Sequence, residues 1–305
     1  MSMNKIIDAF AFYNEVDMLE YRLETLYDVV DKFIIVEATM THSGLEKPLN
    51  FELNKERYKK YLDKIHYVVN TKLPRSGVME TAVTPWHANK RVDGLYYRTN
   101  YNVMREYTHI DSLKEPLLYL DIDDNDIVLF MAPDEVPCPR MLHTFRENGH
   151  HLINDGLILE LTQYFYDHEH FQEIKGGDEK GVYGEDWRLD YWHLSHAISY
   201  GGLKKMFDND YTIYDIRSMD WTRFRNSGWH LSWFEEDLAD KMKSIVHPNF
   251  LLEEDMMRNI KERKPMSMED PWNNIRLTKV KPQDNNFPIA NWEFWERKFK
   301  EREKQ

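Results

Sequence analysis

The segment Ile127-Val-Leu-Phe-Met131 is an unbroken apolar run that passes directly into a stiff acidic turn, Ala132-Pro-Asp-Glu-Val-Pro137. A strand without polar alternation is covered on both faces, which places it inside a sheet with helices above and below. Ligands of open α/β sheets gather beyond the carboxyl ends of such strands, where Asp134 and Glu135 stand. Pro133 and Pro137 fix φ and remove donors, so the turn is rigid. Rigid oxygen donors at a strand end suit a divalent cation (Mn²⁺ or Mg²⁺) and a phosphate-bearing ligand. An ordinary strand exit with solvated acids would give the same pattern.

The first 70 residues set the fold class. Residues 6–13 read as a strand, and Met18, Leu19, Arg22, Leu23, Leu26 and Val29 mark a helix. Residues 33–36 form a second strand ending at Glu37, 55–63 a charged helix, and 65–69 a third strand. This β-α-β-α-β alternation requires parallel strands joined by right-handed crossovers, hence an α/β, Rossmann-like domain with a mostly parallel central sheet. Further on, residues 71–93 are loop-rich, and 96–109 and 139–147 read as helices. Residues 157–166 read as a strand, 176–184 as a glycine-rich loop, 238–247 as a helix and 292–300 as an amphipathic helix. The expected organisation is one domain over residues 1–250 with a charged helical extension, 251–305, packed on it.

A net charge of −13 argues against a nucleic-acid surface, and it means that any anionic ligand needs a local basic pocket. The nine Trp and eighteen Tyr suit a cleft in which sugars or bases stack, or simply a dense core. The single Cys138 leaves no internal disulfide and no thiolate zinc site within this sequence. No window approaches the roughly 18 apolar residues of a membrane span. The N-terminus leads into a strand without a basic segment and cleavage site, so a cytoplasmic location is expected.

Four blocks, in order, resemble glycosyltransferase family 17, which includes β-1,4-N-acetylglucosaminyltransferases. They are Asp8-Ala-Phe-Ala-Phe-Tyr-Asn-Glu-Val-Asp-Met-Leu-Glu20, then Leu26-Tyr-Asp-Val-Val-Asp-Lys-Phe-Ile-Ile-Val-Glu-Ala-Thr39 with Thr41, Ser43, Gly44, Lys47 and Pro48. Pro133-Asp-Glu-Val-Pro137 and Gly228-Trp-His-Leu-Ser-Trp-Phe234 follow, with Lys243, Ser244 and His247 behind the last. The resemblance implies a GT-A type fold and an inverting transfer of a sugar (GlcNAc or another hexose or pentose) from a nucleotide-diphosphate sugar, UDP-sugar favoured. The acceptor it implies is an oligosaccharide or glycan. Without a membrane anchor, a bacterial or viral enzyme would fit. Ala132 stands where the family carries the first acid of its Asp-X-Asp motif. Asp134 keeps the metal-binding position, so the cation site is weakened, assisted by another ligand such as His230, or lost. A member repurposed for binding is the alternative.

Each candidate also has a bland reading. Asn14 lies at the nucleotide end of the first strand, or caps the following helix, whose dipole Asp17 would complement. Glu37 could accept from a uracil or ribose, or form a structural salt bridge. Lys47, in the polar loop with Thr41, offers a point charge to a diphosphate, or is a surface lysine. Arg98 and Arg105 share a helix face; Arg98 is the candidate for phosphate and Arg105 for surface ion pairing. His230 is a phosphate or metal contact, or a core histidine. Glu185 and Asp186 are the first candidates for the base that deprotonates the acceptor, and Glu135 is the second.

Overall fold

The computed structural model describes residues 3–74, 101–152, 156–175, 187–234, 253–265 and 274–304. Arg98, Glu185, Asp186, Lys243, Ser244, His247, the loop 176–184 and the helix expected over 238–247 lie outside the described residues. The strands are β1 (Ile6–Phe12), β2 (Lys32–Ala38), β3 (Ile65–Asn70), β4 (Ile127–Phe130), β5 (Glu135–Pro137), β6 (Leu157–Phe165), β7 (His170–Lys175), β8 (Trp187–Leu189), β9 (Tyr191–Ser199), β10 (Thr222–Ser232) and β11 (Ile275–Lys279). The helices are α1 (Val16–Leu26), α2 (Asn50–Leu53), α3 (Tyr101–Asp111), α4 (Lys114–Tyr119), α5 (Pro139–Leu152), α6 (Tyr200–Asp208), α7 (Ile213–Arg217), α8 (Glu253–Glu262) and α9 (Trp292–Arg302).

The sheet runs β11-β7-β6-β9-β4-β1-β2-β3, and β10 lies against both β6 and β5. The half β3-β2-β1-β4 is parallel, as the alternation in the first 70 residues requires. Beyond β4 the sheet changes direction, because β9 runs antiparallel to both β4 and β6. The apolar run is therefore interior and fully buried, between a parallel neighbour on one side and an antiparallel one on the other. This Rossmann-like half extended by antiparallel strands is an α/β architecture of the GT-A type.

Side chains of β1 alternate between two cores. Ile6, Phe10 and Phe12 pack with Leu19, Leu23, Leu142, Phe145 and Trp295 from α1, α5 and α9. Ile7 and Ala9 pack with Ile110, Leu117, Leu203 and Ile213 from α3, α4, α6 and α7. The charged segment 55–64 forms a 3-10 helix rather than an α-helix. At three residues per turn Tyr58 and Tyr61, both buried, eclipse on one edge.

The amphipathic helix expected near the C-terminus is α9, which docks on α1. Trp295 is fully buried against Tyr21 and Phe234, and the Tyr21 hydroxyl donates to the Ala290 carbonyl. Around this apolar contact sits a charge network. Asp17 and Glu20 of α1 meet Arg57, Lys298 and Arg302, with Arg302 2.8 Å and Lys298 3.1 Å from Asp17. Burial alone would raise the Asp17 pKa, but Arg57, Arg302 and Lys298 outweigh it and bring it from 3.8 down to about 2.

A depressed folded-state pKa contributes stability that is complete above the unfolded value and is lost as pH falls through the folded one. Asp17→Asn should therefore lower stability at neutral pH by about 2 kcal/mol. It should also flatten the loss of stability between the unfolded value of 3.8 and about 2. Urea unfolding of wild type and variant across that range measures both effects; an unchanged acid limb would show that Asp17 does not anchor α9.

Candidate active site

The acidic turn after β4 is built around a buried arginine. Arg22 projects from the core stripe of α1 and is fully enclosed. Its Nε and NH2 donate to the two oxygens of Asp8 on β1 at 2.7 and 2.6 Å, a bidentate pair. Its NH1 donates to the carbonyls of Ala132, Pro133 and Glu135 at 3.1, 3.2 and 2.6 Å. The guanidinium also lies over the Phe10 ring, 4.7 Å from its centre. One side chain thus ties β1, α1 and the turn together and fixes which way the turn presents its acids.

Glu135 points inward. Its carboxylate, 1% exposed, accepts from the Ala132 amide, the Trp192 indole and the Ser195 hydroxyl, each at 2.8 Å. The NH2 nitrogen of Arg217, at the end of α7, adds a contact shared between the two oxygens at 2.9 and 3.3 Å. These donors take up the acceptor capacity of a carboxylate, so Glu135 braces the turn instead of serving as the base suggested by its position in the sequence. Asp134 faces the other way. Its side chain retains 15% exposure and its Oδ2 lies 3.6 Å from His230 Nε2. The His230 ring rests on Trp192, with centroids 4.4 Å apart. The structure therefore brings Asp134, Glu135 and His230 together.

The glycine that precedes Trp229 and His230 has a steric reason. Gly228 has φ +153°, and a Cβ there would sit 2.2 Å from the Val136 carbonyl oxygen. Only glycine lets β10 pass this close to β5 and set His230 opposite Glu135.

The loop after β2 is a second built region, and here several expectations change. Glu37 is fully buried and accepts from Lys47 (2.5 Å), the amides of Asn50 and Phe51 (2.6 and 3.0 Å) and the Tyr67 hydroxyl (2.8 Å). The structure places Glu37 and Lys47 as each other's partners, in the core of the scaffold rather than facing a nucleotide. Thr41 is likewise buried, its hydroxyl accepting from the Leu45 amide and meeting Ser43 Oγ, so it holds the turn at residues 41–45. Asn14 is not the cap of α1. That position belongs to Glu15, whose carboxylate turns back to accept from the Tyr13 and Asn14 amides. Arg105, expected on the surface, is buried; it donates to the carbonyls of Pro74 and His42 and to the Asn102 side chain.

A cavity of about 170 Å³ opens at the ends of β1 and β4, on the face covered by α3 and α7. Ala9, Ala11 and Phe130 give it apolar walls, and His42, Glu106 and Arg217 its polar ones. Burial raises the Glu106 pKa, an effect partly offset by Arg217. Burial likewise lowers the pKa of His42 to about 3 and of His109 to about 4, so both imidazoles are neutral at physiological pH. A larger groove of about 740 Å³ lies beyond β6, against α9. Its cations are matched with carboxylates (Arg263 with Asp167, Lys279 with Glu169, Lys300 with Glu296), so it offers no set of convergent groups.

For a cation, the candidate donors in and beside the acidic turn are Asp134 and His230. Ala132 supplies none, and Glu135 is committed to the turn. Among the described residues there is no cluster of three or more His, Cys, Asp or Glu arranged for a metal. Two protein donors fit a Mg²⁺-like or Mn²⁺-like ion whose shell is completed by ligand phosphates and water, not a resident structural ion. The buried Nδ1 of His230, which has no hydrogen-bond partner, leaves that ring without the second anchor a metal-bound imidazole usually has.

The sequence matches the model of glycosyltransferase family 17 over residues 1–264. The chain belongs to glycosyltransferase family 17. Comparison with curated proteins gives no match. Among solved structures, similar chains include a 4-diphosphocytidyl-2C-methyl-D-erythritol synthase at 11% identity and TM-score 0.40, covering 79% of this chain and 97% of that one. S. aureus TarS 1–349 is similar at 12% identity and TM-score 0.31, covering 68% of this chain and 50% of that one. The same TarS piece in complex with UDP-GlcNAc is similar at 12% identity and TM-score 0.29, covering 52% and 35%.

This family 17 enzyme is a glycosyltransferase, and among its described residues no helix is long and apolar enough to cross a membrane. The residues that sequence reasoning passed over are the ones that hold the site in place. Arg22 and Asp8 carried a signal, since each is a charge inside an apolar pattern that requires burial. Arg217, Trp192, His42 and His109 carried none, because their partners are distant in the chain. Replacing Arg22 by Met removes one half of a buried ion pair and leaves Asp8 uncompensated. The expected loss is about 3–5 kcal/mol, read by urea or thermal unfolding. A loss under about 1 kcal/mol, the range of exposed pairs, would show that the turn does not depend on it.

Proposed function

We propose that the protein transfers a sugar, with inversion, from a nucleotide-diphosphate sugar to a saccharide acceptor, and that UDP-N-acetylglucosamine is the favoured donor. The observation that carries this reading is the partly exposed Asp134 carboxylate beside His230, in the acidic turn whose Ala132 and Pro133 line a cavity at the ends of β1 and β4. Family membership supports sugar transfer, and the family's N-acetylglucosaminyltransferases support the choice of donor.

In the proposed reaction an acceptor hydroxyl attacks the anomeric carbon on the face opposite the diphosphate. Its proton passes to a carboxylate base, the new bond forms between the acceptor oxygen and the anomeric carbon, and the bond to the diphosphate breaks. The electron pair leaves on the nucleoside diphosphate. With Glu135 spent on the turn, Glu185 and Asp186 are proposed for the base. Asp134 and His230 would hold a divalent cation, whose charge would offset that of the leaving diphosphate. Arg217 stands at the cavity wall, its guanidinium oriented by the Leu194 carbonyl and Glu135.

The test is UDP release from UDP-GlcNAc over a panel of saccharide acceptors, with and without Mn²⁺. Asp134→Ala should lower kcat/KM by about 10²–10³-fold, the usual cost of removing one electrostatic stabiliser, while leaving the melting temperature unchanged. His230→Ala should raise the Mn²⁺ concentration needed for half-maximal rate. Full transfer by Asp134→Ala would place the chemistry elsewhere. Nucleotide-sugar binding without release on any acceptor would make the protein a binding member of its family.

A further inference from the structure

We propose that the His42–His109 pair reads the base of the donor, selecting uracil by its imide N–H; this rests on the nucleotide-sugar reading above. The argument begins with a proton that has only one place to be. His109 Nε2 lies 3.1 Å from the Val36 carbonyl oxygen. A carbonyl only accepts, so Nε2 carries the hydrogen, and in a neutral ring Nδ1 is then an acceptor. His42 Nε2 lies 3.3 Å from that Nδ1 and must donate to it. The hydrogen of His42 is thereby fixed on Nε2, and its Nδ1 is left as a lone-pair acceptor. Burial keeps both rings uncharged, reinforced at His42 by the neighbouring His109 and Arg105, so the relay is not undone by protonation near neutral pH.

The ring is also held in place. Arg105 donates to the His42 carbonyl at 3.1 Å, Thr41 closes the turn through the Leu45 amide, and the two imidazoles meet edge to face. Gly44, at φ +94°, leaves room for that guanidinium, because a Cβ there would approach it to 2.9 Å.

His42 and His109 both line the 170 Å³ cavity. That volume is below the roughly 300 Å³ at which pockets for drug-sized ligands begin, so it suits one flat ring with the rest of the nucleotide outside. Phe130, Ile110 and Ile213 supply apolar walls for a ring, and Ala9 and Ala11 leave it space. With Nε2 engaged, the side-chain atom this histidine has left for an occupant is an acceptor, Nδ1. Uracil presents N3–H, whereas cytosine presents a bare N3 whose lone pair would oppose that of His42. A site built to accept from an N–H discriminates strongly against a ring that lacks it.

The experiment compares binding of UDP, CDP and inorganic pyrophosphate to the full chain by calorimetry in the presence of Mn²⁺. Wild type should bind UDP at least about tenfold more tightly than CDP. His42→Ala should bring that ratio close to one with pyrophosphate affinity unchanged. His109→Phe, which removes the anchor but keeps His42, should also narrow the ratio. Equal binding of UDP and CDP by wild type overturns the proposal and leaves the nucleotide-sugar reading intact, as does a ratio that survives His42→Ala. Failure of UDP, CDP and GDP alike to bind wild type removes both. Should His42→Ala fail to fold, the ratio of His109→Phe carries the same test.

Discussion

Arg22 is the group on which the geometry of the site depends. Burying a guanidinium and a carboxylate away from water is costly, and their attraction offsets that cost only when the geometry is good and the remaining donors are satisfied. Here Asp8 takes the Nε hydrogen and one of NH2, and the two hydrogens of NH1 are shared among three carbonyls of the acidic turn. A lysine could not replace it, because a single ammonium has neither the planar fork for Asp8 nor the reach to the carbonyls. The pair therefore acts less as a source of stability than as a positioning device. It converts the packing of α1 on β1 into the orientation of residues 132–135, more than 100 positions away in the chain.

The same logic recurs around the sheet and decides which acid is left for chemistry. Glu37, Glu135 and Asp17 each sit near a strand or helix end with donors arriving from several elements, and each is consumed by them. Saturated carboxylates of this kind are rivets. Asp134 differs in its residual exposure and in having an imidazole in front of it. In a chain with net charge −13, a partly exposed carboxylate just past a strand end is informative where it stands next to a buried histidine whose ring rests on a tryptophan.

Periodicity made the parallel half of the fold legible, because β1, α1, β2 and β3 are local units whose pattern reports their own burial. In the antiparallel half β6 reads as a strand, but its neighbours were hidden for a physical reason. β5 and β8 are three residues long, and β9 is exposed at one end and buried at the other, so neither length nor alternation marks them. The candidate site residues divide in the same way. Asp134 and His230 were visible through their motifs, and Gly228 has a steric role that only the crossing of β10 and β5 reveals. Glu37 and Lys47 looked like ligand contacts because sequence shows a carboxylate ending a strand, but not the amides of Asn50 and Phe51 that fold back to bind it. His42 and His109 stand 67 positions apart and share no pattern; the carbonyl of Val36 is what relates them.

The cavity follows from one strand. In β1 the order Ala9-Phe10-Ala11-Phe12 sends large and small side chains to opposite faces, since successive residues of a strand point to opposite sides. Phe10 and Phe12 fill the face under α1, where Arg22 lies over the Phe10 ring. Ala9 and Ala11 leave the opposite face short of volume just where β1 and β4 end. Interiors of proteins are close-packed, so a gap of this kind persists only where the surrounding helices are prevented from collapsing into it. The buried polar ties that hold His109 to β2, and Arg105 to the His42 loop, hold α3 at that distance. The same hydrogen bonds that order the cavity wall thus keep it open, and β1 supplies both the anchor of the acidic turn on one face and the space beside it on the other.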